Sequence, residues 1–424
     1  MNTLRRRSFP IYLGLTVLAV GLAWVLARHF WPDATEARIE LLPPTGSLPI
    51  GRSSYHWIDT SRESSGPRPD KECQLSVHLW YPAHQPEGAP APYIPGFRAI
   101  EAAIGKSSLQ DEVGDFYEGL SSARTHVVAD ADISSDSSKY PVVLMTHGLR
   151  YNVLGYSTLC EDLASHGYIV VGVDHPATAF AVLLPDGQVT RFPESEWSQS
   201  RTPAETAAFE RQFVDRCAAD LAFVLNQLER LESGAIPSRF QGRLDLTRMG
   251  VFGHSFGGRV AARACQLDKR LKAGIVSDSF GRVMTVEKDP DGGTLNQPMM
   301  VQYATRIPKA GIERDRALQQ TPGEDIEEVL RKVRREFCES VRGGSYELIL
   351  STPGIIHESF SDMPLLESGQ SAETMNHRQR TMAITRIYTR AFFDRYLRDR
   401  AALELDQAPD KSSDVELIRH AFRG

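Results

Sequence analysis

Gly253-His254-Ser255-Phe256-Gly257 follows an apolar run, Met249-Gly250-Val251-Phe252, and precedes a helix-compatible run at 259–267. A serine between two glycines, where a strand hands over to a helix, is the pattern of a nucleophile elbow. The turn is tight, so the residues flanking the serine must be small. It lifts the hydroxyl above the sheet edge. It also starts a helix beneath it, whose first backbone N–H groups face any anion that forms there.

Working outward from the elbow, apolar stretches alternate with helical ones. Strands are expected at 73–81, 141–146, 168–173, 249–252, 273–277, 299–303 and 346–350. The first of them alternates, with Ser76 and His78 marking a solvated face. Helices are expected at 157–166, 204–231, 325–340 and 375–398. In the long one Phe209, Phe213, Cys217, Leu221, Val224 and Leu228 recur at a spacing of three to four. Near-continuous apolar strands between helices predict an α/β fold with a mostly parallel central sheet and helices on both faces. Stretch 83–138 reads as an insertion, with helical fragments at 97–125 that can form a cap.

In open α/β sheets the functional groups collect at the carboxyl ends of the strands. Those ends deliver His147-Gly148-Leu149, then Ser255, then Asp278, then, after a short loop, His357. The order Ser, acid, His is that of an α/β-hydrolase. Ser255 is a poor nucleophile as a neutral alcohol and needs a base of near-neutral pKa; His357 is the candidate. That imidazole needs a carboxylate on its far nitrogen, and Asp278 is the candidate. A tetrahedral oxyanion needs two donors, expected from the backbone N–H of Leu149 and of Phe256. Among the 12 histidines, His147 is expected to shape the oxyanion loop and His254 to point away from the serine. His175 is a weaker base candidate, and His377 and His420 fall in or beyond the last helix. Glu313 and Asp315 are the nearest alternative acids.

Net charge is −6, which speaks against nucleic acid as a partner. The five cysteines (Cys73, Cys160, Cys217, Cys265, Cys338) have no C-x-x-C spacing, so neither a zinc site nor a redox dithiol is expected. A disulfide stays open. At the N-terminus Arg5, Arg6 and Arg7 abut an uncharged apolar run at 11–27, with Trp24 and Trp31 near its end. Two readings fit, a retained signal-anchor or a signal peptide cleaved near Ala27. Arg6-Arg7-Ser8-Phe9 also has a twin-arginine look. All place the arginines inside and the rest of the chain outside the membrane. The expected organisation is 1–32 as anchor or signal, 33–70 as linker and lead-in, 71–400 as catalytic domain and 401–424 as tail.

Taken together, segments 79–82 (LWYP), 141–149 (PVVLMTHGL), 162–170 (DLASHGYIV), 253–258 (GHSFGG), 274–278 (GIVSD) and 357–362 (HESFSD) resemble the platelet-activating-factor acetylhydrolase family, plasma and type II branch. An acid 23 residues after the serine, and a histidine followed by Phe-x-Asp, are more specific than the serine motif. The resemblance implies Ser255 as nucleophile, Asp278 as acid and His357 as base, with Leu149 and Phe256 as oxyanion donors. It implies hydrolysis of short acyl chains from phospholipid-like esters, with no cofactor and no metal. Arg150 departs from the family pattern, which often has glycine there. Two other functions stay in view: a general carboxylesterase or polyesterase, and a non-catalytic binding protein on the same fold.

Overall fold

The computed structural model describes residue 39 and residues 41–63, 72–84, 87–279, 294–305, 326–407 and 414–421. The anchor or signal expected at 1–32, and Glu313 and Asp315, lie outside the described residues. Among the described residues no helix is long and apolar enough to cross a membrane.

Ten strands form one sheet in the order β12-β11-β10-β9-β8-β4-β5-β2-β1-β3. Its centre is parallel and built from apolar runs: β4 (Tyr140–Thr146), β5 (Ile169–Asp174), β8 (Leu244–His254), β9 (Leu271–Ser277), β10 (Met299–Ala304) and β11 (Ser345–Leu350). Every residue of β4 and β5 is buried, as a sheet covered on both faces requires. Alternate side chains feed two cores. Val142 and Leu144 join the one under α6 (Pro203–Ser233). Val143 and Met145 join the one under α4 (Ser157–Ser165) and α8 (Ala372–Arg398). Helix α6 starts at a capping box in which the Glu205 N–H donates to Thr202 Oγ1 at 3.3 Å and the Thr202 N–H to Glu205 Oε2 at 2.8 Å. It packs on α7 (Phe256–Leu267), and Arg259–Glu210 and Arg263–Asp215 pairs at 2.7 Å lie across that contact.

The edges differ from the sequence expectation. The lead-in contains β1 (Ile50–Glu63), a regular strand antiparallel to β2 (Glu72–Pro82) from Ile50↔Pro82 to Asp59↔Cys73. Its serines and Gly51 hide the strand period. The expected tail folds back as β12 (Val415–His420), antiparallel to β11. Glu416 and Arg419 suit an edge strand facing water, and they mask its pattern. The face of β2 expected to be solvated is covered: His78 is buried beside Ser54 and Asp174, and Trp80 lies in the core under α4.

The insertion is α1 (Phe97–Ile104), α2 (Lys106–Val113) and α3 (Tyr117–Ser122), then β3 (Val127–Ala129), which pairs parallel with β1. A hairpin absent from the sequence reading, β6 (Ala181–Leu183) and β7 (Val189–Arg191), is followed by the short helix α5 (Glu194–Trp197). Its signal was Pro185-Asp186-Gly187, turn chemistry with Gly187 at φ 80°. All five cysteines are buried free thiols, so none forms the disulfide left open by the sequence.

Candidate active site

Strand β8 ends at His254 and helix α7 begins at Phe256, so the whole reversal falls on Ser255, at φ 55° and ψ −121°. A non-glycine residue in that region stores strain of about 1–3 kcal/mol. Packing holds it there. The Ser255 N–H donates to Ser277 O at 2.8 Å, and the Gly258 N–H donates to Ser255 O at 3.0 Å. The glycines are obligatory: a Cβ on Gly253 would lie 2.1 Å from Gly257 O, and one on Gly257 would lie 2.2 Å from Thr146 O.

Three distant segments converge on this serine. Ser255 Oγ lies 2.8 Å from His357 Nε2, and His357 Nδ1 lies 2.7 Å from Asp278 Oδ2. Asp278 directly follows β9 and is fully buried. Its second oxygen accepts the Ala304 N–H at 3.3 Å, and its own N–H donates to Gln302 O at 2.6 Å. Strand β10 thus supplies the ledge on which the carboxylate rests. His357 opens a 3-10 turn after β11 and is partly open to solvent, with 21 % of its side chain accessible. With Nδ1–H donating to the carboxylate, Nε2 is the free acceptor for the serine proton.

The oxyanion loop follows β4. The Gly148 N–H donates to Tyr156 Oη at 3.1 Å, the Arg150 N–H to Thr178 O at 2.8 Å and the Tyr151 N–H to Gly148 O at 3.1 Å. Among the described residues the Leu149 N–H has no acceptor, so it is available to an oxyanion. The Phe256 N–H opens α7 and, like any first-turn N–H, has no helical carbonyl to bond. Arg150 stands at φ 64°, which explains why glycine would suit this position.

Two further histidines have defined places, and His147 stands where the sequence expected it. His147 donates from Nδ1 to Gly148 O at 2.7 Å and accepts the His175 N–H at Nε2, 3.1 Å away. Burial pushes it down to about 4, so it shapes the oxyanion loop as a neutral ring. His254 bridges the two halves of the site. Its Nδ1 accepts from Tyr156 Oη at 2.9 Å and its Nε2 donates to the His357 carbonyl at 2.9 Å. Burial first, and the nearby His357 second, hold His254 well below the ordinary imidazole range. A neutral His254 thus ties the oxyanion loop to the turn carrying His357. The sequence showed the residue but not the bridge, because both partners lie far away in the chain.

His175 does not reach the serine: it is buried between Asp220 Oδ2 at 2.8 Å and Thr146 Oγ1 at 2.9 Å. His377 lies on α8, and His420 on β12 contacts Glu347 Oε1 at 2.6 Å. The Phe-x-Asp that follows His357 is structural. Phe360 stacks on His254 at 6.1 Å. Asp362 accepts the Thr158 N–H at 3.2 Å and the Tyr93 O–H at 3.1 Å. Burial pushes Asp362 up to about 7.

The family model for platelet-activating factor acetylhydrolase, isoform II, matches residues 69–407. The platelet-activating factor acetylhydrolase of Cavia porcellus is 26 % identical over 219 residues, 48 % of this chain and 50 % of that protein. That of Gallus gallus is 28 % identical over 184 residues, 38 % of this chain and 43 % of that protein. The chain thus spans about half the length of the curated relatives it matches. A solved structure, the ferulic acid esterase from Streptomyces cinnamoneus, superposes with a TM-score of 0.67 at 27 % identity. The match covers 90 % of this chain and all of that one.

Proposed function

The chain belongs to the platelet-activating factor acetylhydrolase isoform II family, and from that membership we propose that it is a serine ester hydrolase acting on short-chain acyl esters of phospholipid-like substrates. The observation that carries this reading is the unbroken proton path from Ser255 Oγ through His357 to Asp278, at 2.8 and 2.7 Å.

In this reading Ser255 attacks the ester carbonyl as its proton passes to His357 Nε2. The tetrahedral oxyanion sits between the N–H groups of Phe256 and Leu149, fixed dipoles that need no reorganisation as charge develops. Asp278 stabilises the imidazolium and keeps its ring in register. His357 then gives the proton to the departing alkoxide oxygen, leaving an acyl-serine. Water loses a proton to the same nitrogen, attacks the acyl carbon, and the acid leaves as the serine is reprotonated. Every proton moves between groups of this chain, the substrate and water.

Arginines 5–7 before the apolar run at 11–27 support export of the catalytic unit and its tethering at the membrane face, close to lipid esters. A second reading, hydrolysis of an aromatic acyl ester, is supported by the Streptomyces neighbour, a ferulic acid esterase. The deciding measurement is kcat/KM for a short-acyl phosphatidylcholine against methyl ferulate and p-nitrophenyl acetate. The lipid ester is expected to exceed methyl ferulate by at least about tenfold. The opposite ranking would replace the phospholipid-like reading with the aromatic one.

His254 is expected to act as a positioning residue. His254→Phe removes both of its bonds, so the His357 turn and the oxyanion loop lose their common tie. Displacements of an ångström cost up to about 10²-fold in rate. The variant should therefore lose about 10- to 100-fold in kcat with KM near wild type, and the pH profile of kcat/KM should shift as His357 relaxes. A wild-type kcat and pH profile would make the bridge a packing feature only.

A further inference from the structure

Two groups of histidine, cysteine and carboxylate among the described residues bring their ligand atoms within 4.8 Å of one another. They differ in charge and in access. In the group of His175, Cys217 and Asp220, the carboxylate already has a cation, because Arg62 donates to Asp220 Oδ1 at 2.9 Å. All three residues are buried, and His175 Nε2 is bonded to Thr146 Oγ1 at 2.9 Å. A second cation there would meet the guanidinium and have no way in.

Cys338, Glu347 and His420 are placed otherwise. Cys338 lies near the end of the helix Ile326–Ser340, Glu347 is the third residue of β11 and His420 ends β12. Antiparallel pairing sets His420 opposite Ser345, two residues from Glu347 and therefore on the same face of the sheet. Ser345 Oγ donates to Cys338 O at 2.8 Å, which ties the helix end to that face. Cys338 and Glu347 are buried, while 16 % of the His420 side chain is accessible, so the group opens to solvent on one side. Tyr303 on β10 donates its O–H to Glu347 Oε2 at 2.8 Å. The other carboxylate oxygen, Oε1, faces His420 Nε2 at 2.6 Å. Two acceptors that close need a positive centre between them, either a proton on the ring or a metal ion. The reacting groups gather at the carboxyl ends of the strands; this group sits towards the amino end of β11.

The donor set selects the ion. A thiolate and an imidazole with one carboxylate suit Zn²⁺, whereas Mg²⁺ and Ca²⁺ take oxygen ligands. Zinc holds sulfur at about 2.3 Å and nitrogen or oxygen at about 2.0–2.2 Å, so tetrahedral neighbours lie roughly 3.3–3.7 Å apart. The Glu347–His420 contact would open by on the order of 1 Å to admit the ion. With Arg334 over the Tyr303 ring at 4.1 Å, two anionic ligands are needed to hold a dication, and thiolate and carboxylate supply them. A clasp has a use at this place. Strand β12 is six residues long and none of them is buried, so it holds to the sheet by its ladder and few apolar contacts.

We propose that Cys338, Glu347 and His420 bind one zinc ion, with water in the fourth position on the His420 side, and that the ion clasps β12 to the sheet. Binding releases the thiol proton, and any proton on His420 Nε2, to solvent. Tyr303 keeps the carboxylate aimed at the ion through its bond to Oε2.

The full chain is stripped with a chelator and titrated with Co²⁺ and with Zn²⁺ alone. Cobalt reports the sulfur: a near-ultraviolet charge-transfer band from thiolate to metal should saturate at one equivalent, and one equivalent of zinc should abolish it. Zinc should also raise the melting temperature, because it binds the folded chain. Cys338→Ser should remove the band. Tyr303→Phe keeps all three ligands and should weaken zinc binding by about 10- to 100-fold. His420→Ala removes a ligand and should weaken it by more than about 100-fold. That variant sits on the exposed edge strand, so it decides the matter should Cys338→Ser fail to fold. A protein with no sulfur band and no zinc-dependent rise in melting temperature overturns the site. A band that persists at full strength in folded Cys338→Ser or His420→Ala protein puts the metal on another thiol and overturns it as well.

Discussion

Ser255→Ala is expected to lower turnover of p-nitrophenyl acetate by roughly 10⁴- to 10⁶-fold and to end covalent labelling by a fluorophosphonate. The Ser255 side chain makes the bond to His357 Nε2 at 2.8 Å, and nothing else within the loop offers an alcohol at that spot. The elbow itself survives the change. Its bonds, Ser255 N–H to Ser277 O and Gly258 N–H to Ser255 O, belong to the backbone, and alanine keeps the Cβ that the turn already tolerates. The melting temperature should therefore stay within a few degrees of wild type, because surface-like losses of this size are usually within about 0.5 kcal/mol. A folded Ser255→Ala protein with wild-type turnover would remove the mechanism and send the search for the nucleophile elsewhere. The residual rate, if measurable, reports what the oxyanion donors do without a nucleophile.

Asp278→Asn is the second large effect, and its cause is different. The carboxylate accepts from two sides, His357 Nδ1–H at 2.7 Å and the Ala304 N–H at 3.3 Å. An amide of the same shape can keep the Ala304 bond only by turning its NH₂ towards His357. That NH₂ donates, so His357 Nδ1 becomes the acceptor and the ring proton moves to Nε2. The nitrogen facing Ser255 then carries a proton and cannot take another. Loss of the correct tautomer costs about 10⁴-fold in kcat, or about 5.5 kcal/mol in the barrier. Fluorophosphonate labelling should slow in parallel, since it needs the same activated alcohol. A kcat within tenfold of wild type would mean that Asp278 supports the loop rather than the base.

The sequence carried the centre of this protein clearly for a physical reason. The elbow is local: glycines at 253 and 257 and a serine at 255 are dictated by contacts within a few residues and with one neighbouring strand. Strands β4, β5, β8, β9, β10 and β11 are buried on both faces, so their apolar runs are continuous and visible. Because the strands are parallel, their carboxyl ends point the same way, and Ser255, Asp278 and His357 are legible as a set. The edges were less legible. Strand β1 carries Ser53 and Ser54 and β12 carries Glu416 and Arg419, residues that a half-covered or solvent-facing strand admits. Nothing in their own pattern names the partner strand.

Other features exist only once distant segments meet. His254 was expected only to point away from the serine. Tyr156 and the carbonyl of His357, 98 and 103 residues away, make it a bridge. His78 looked solvent-facing on an alternating strand, and the fold buries it beside Ser54 and Asp174. Arg150 looked like a departure from a family pattern, and the fold gives it a left-handed backbone and two carboxylate partners.

By itself, then, the chain determined the centre of the sheet, the elbow and the order of the reacting groups, because each follows from short-range sterics and from how an apolar run must be buried. The tertiary structure alone decided the ledge that β10 gives Asp278 and the tie between the two catalytic loops. These depend on pairings between residues far apart in sequence, and such pairings are set by packing in three dimensions and leave no periodic trace along the chain.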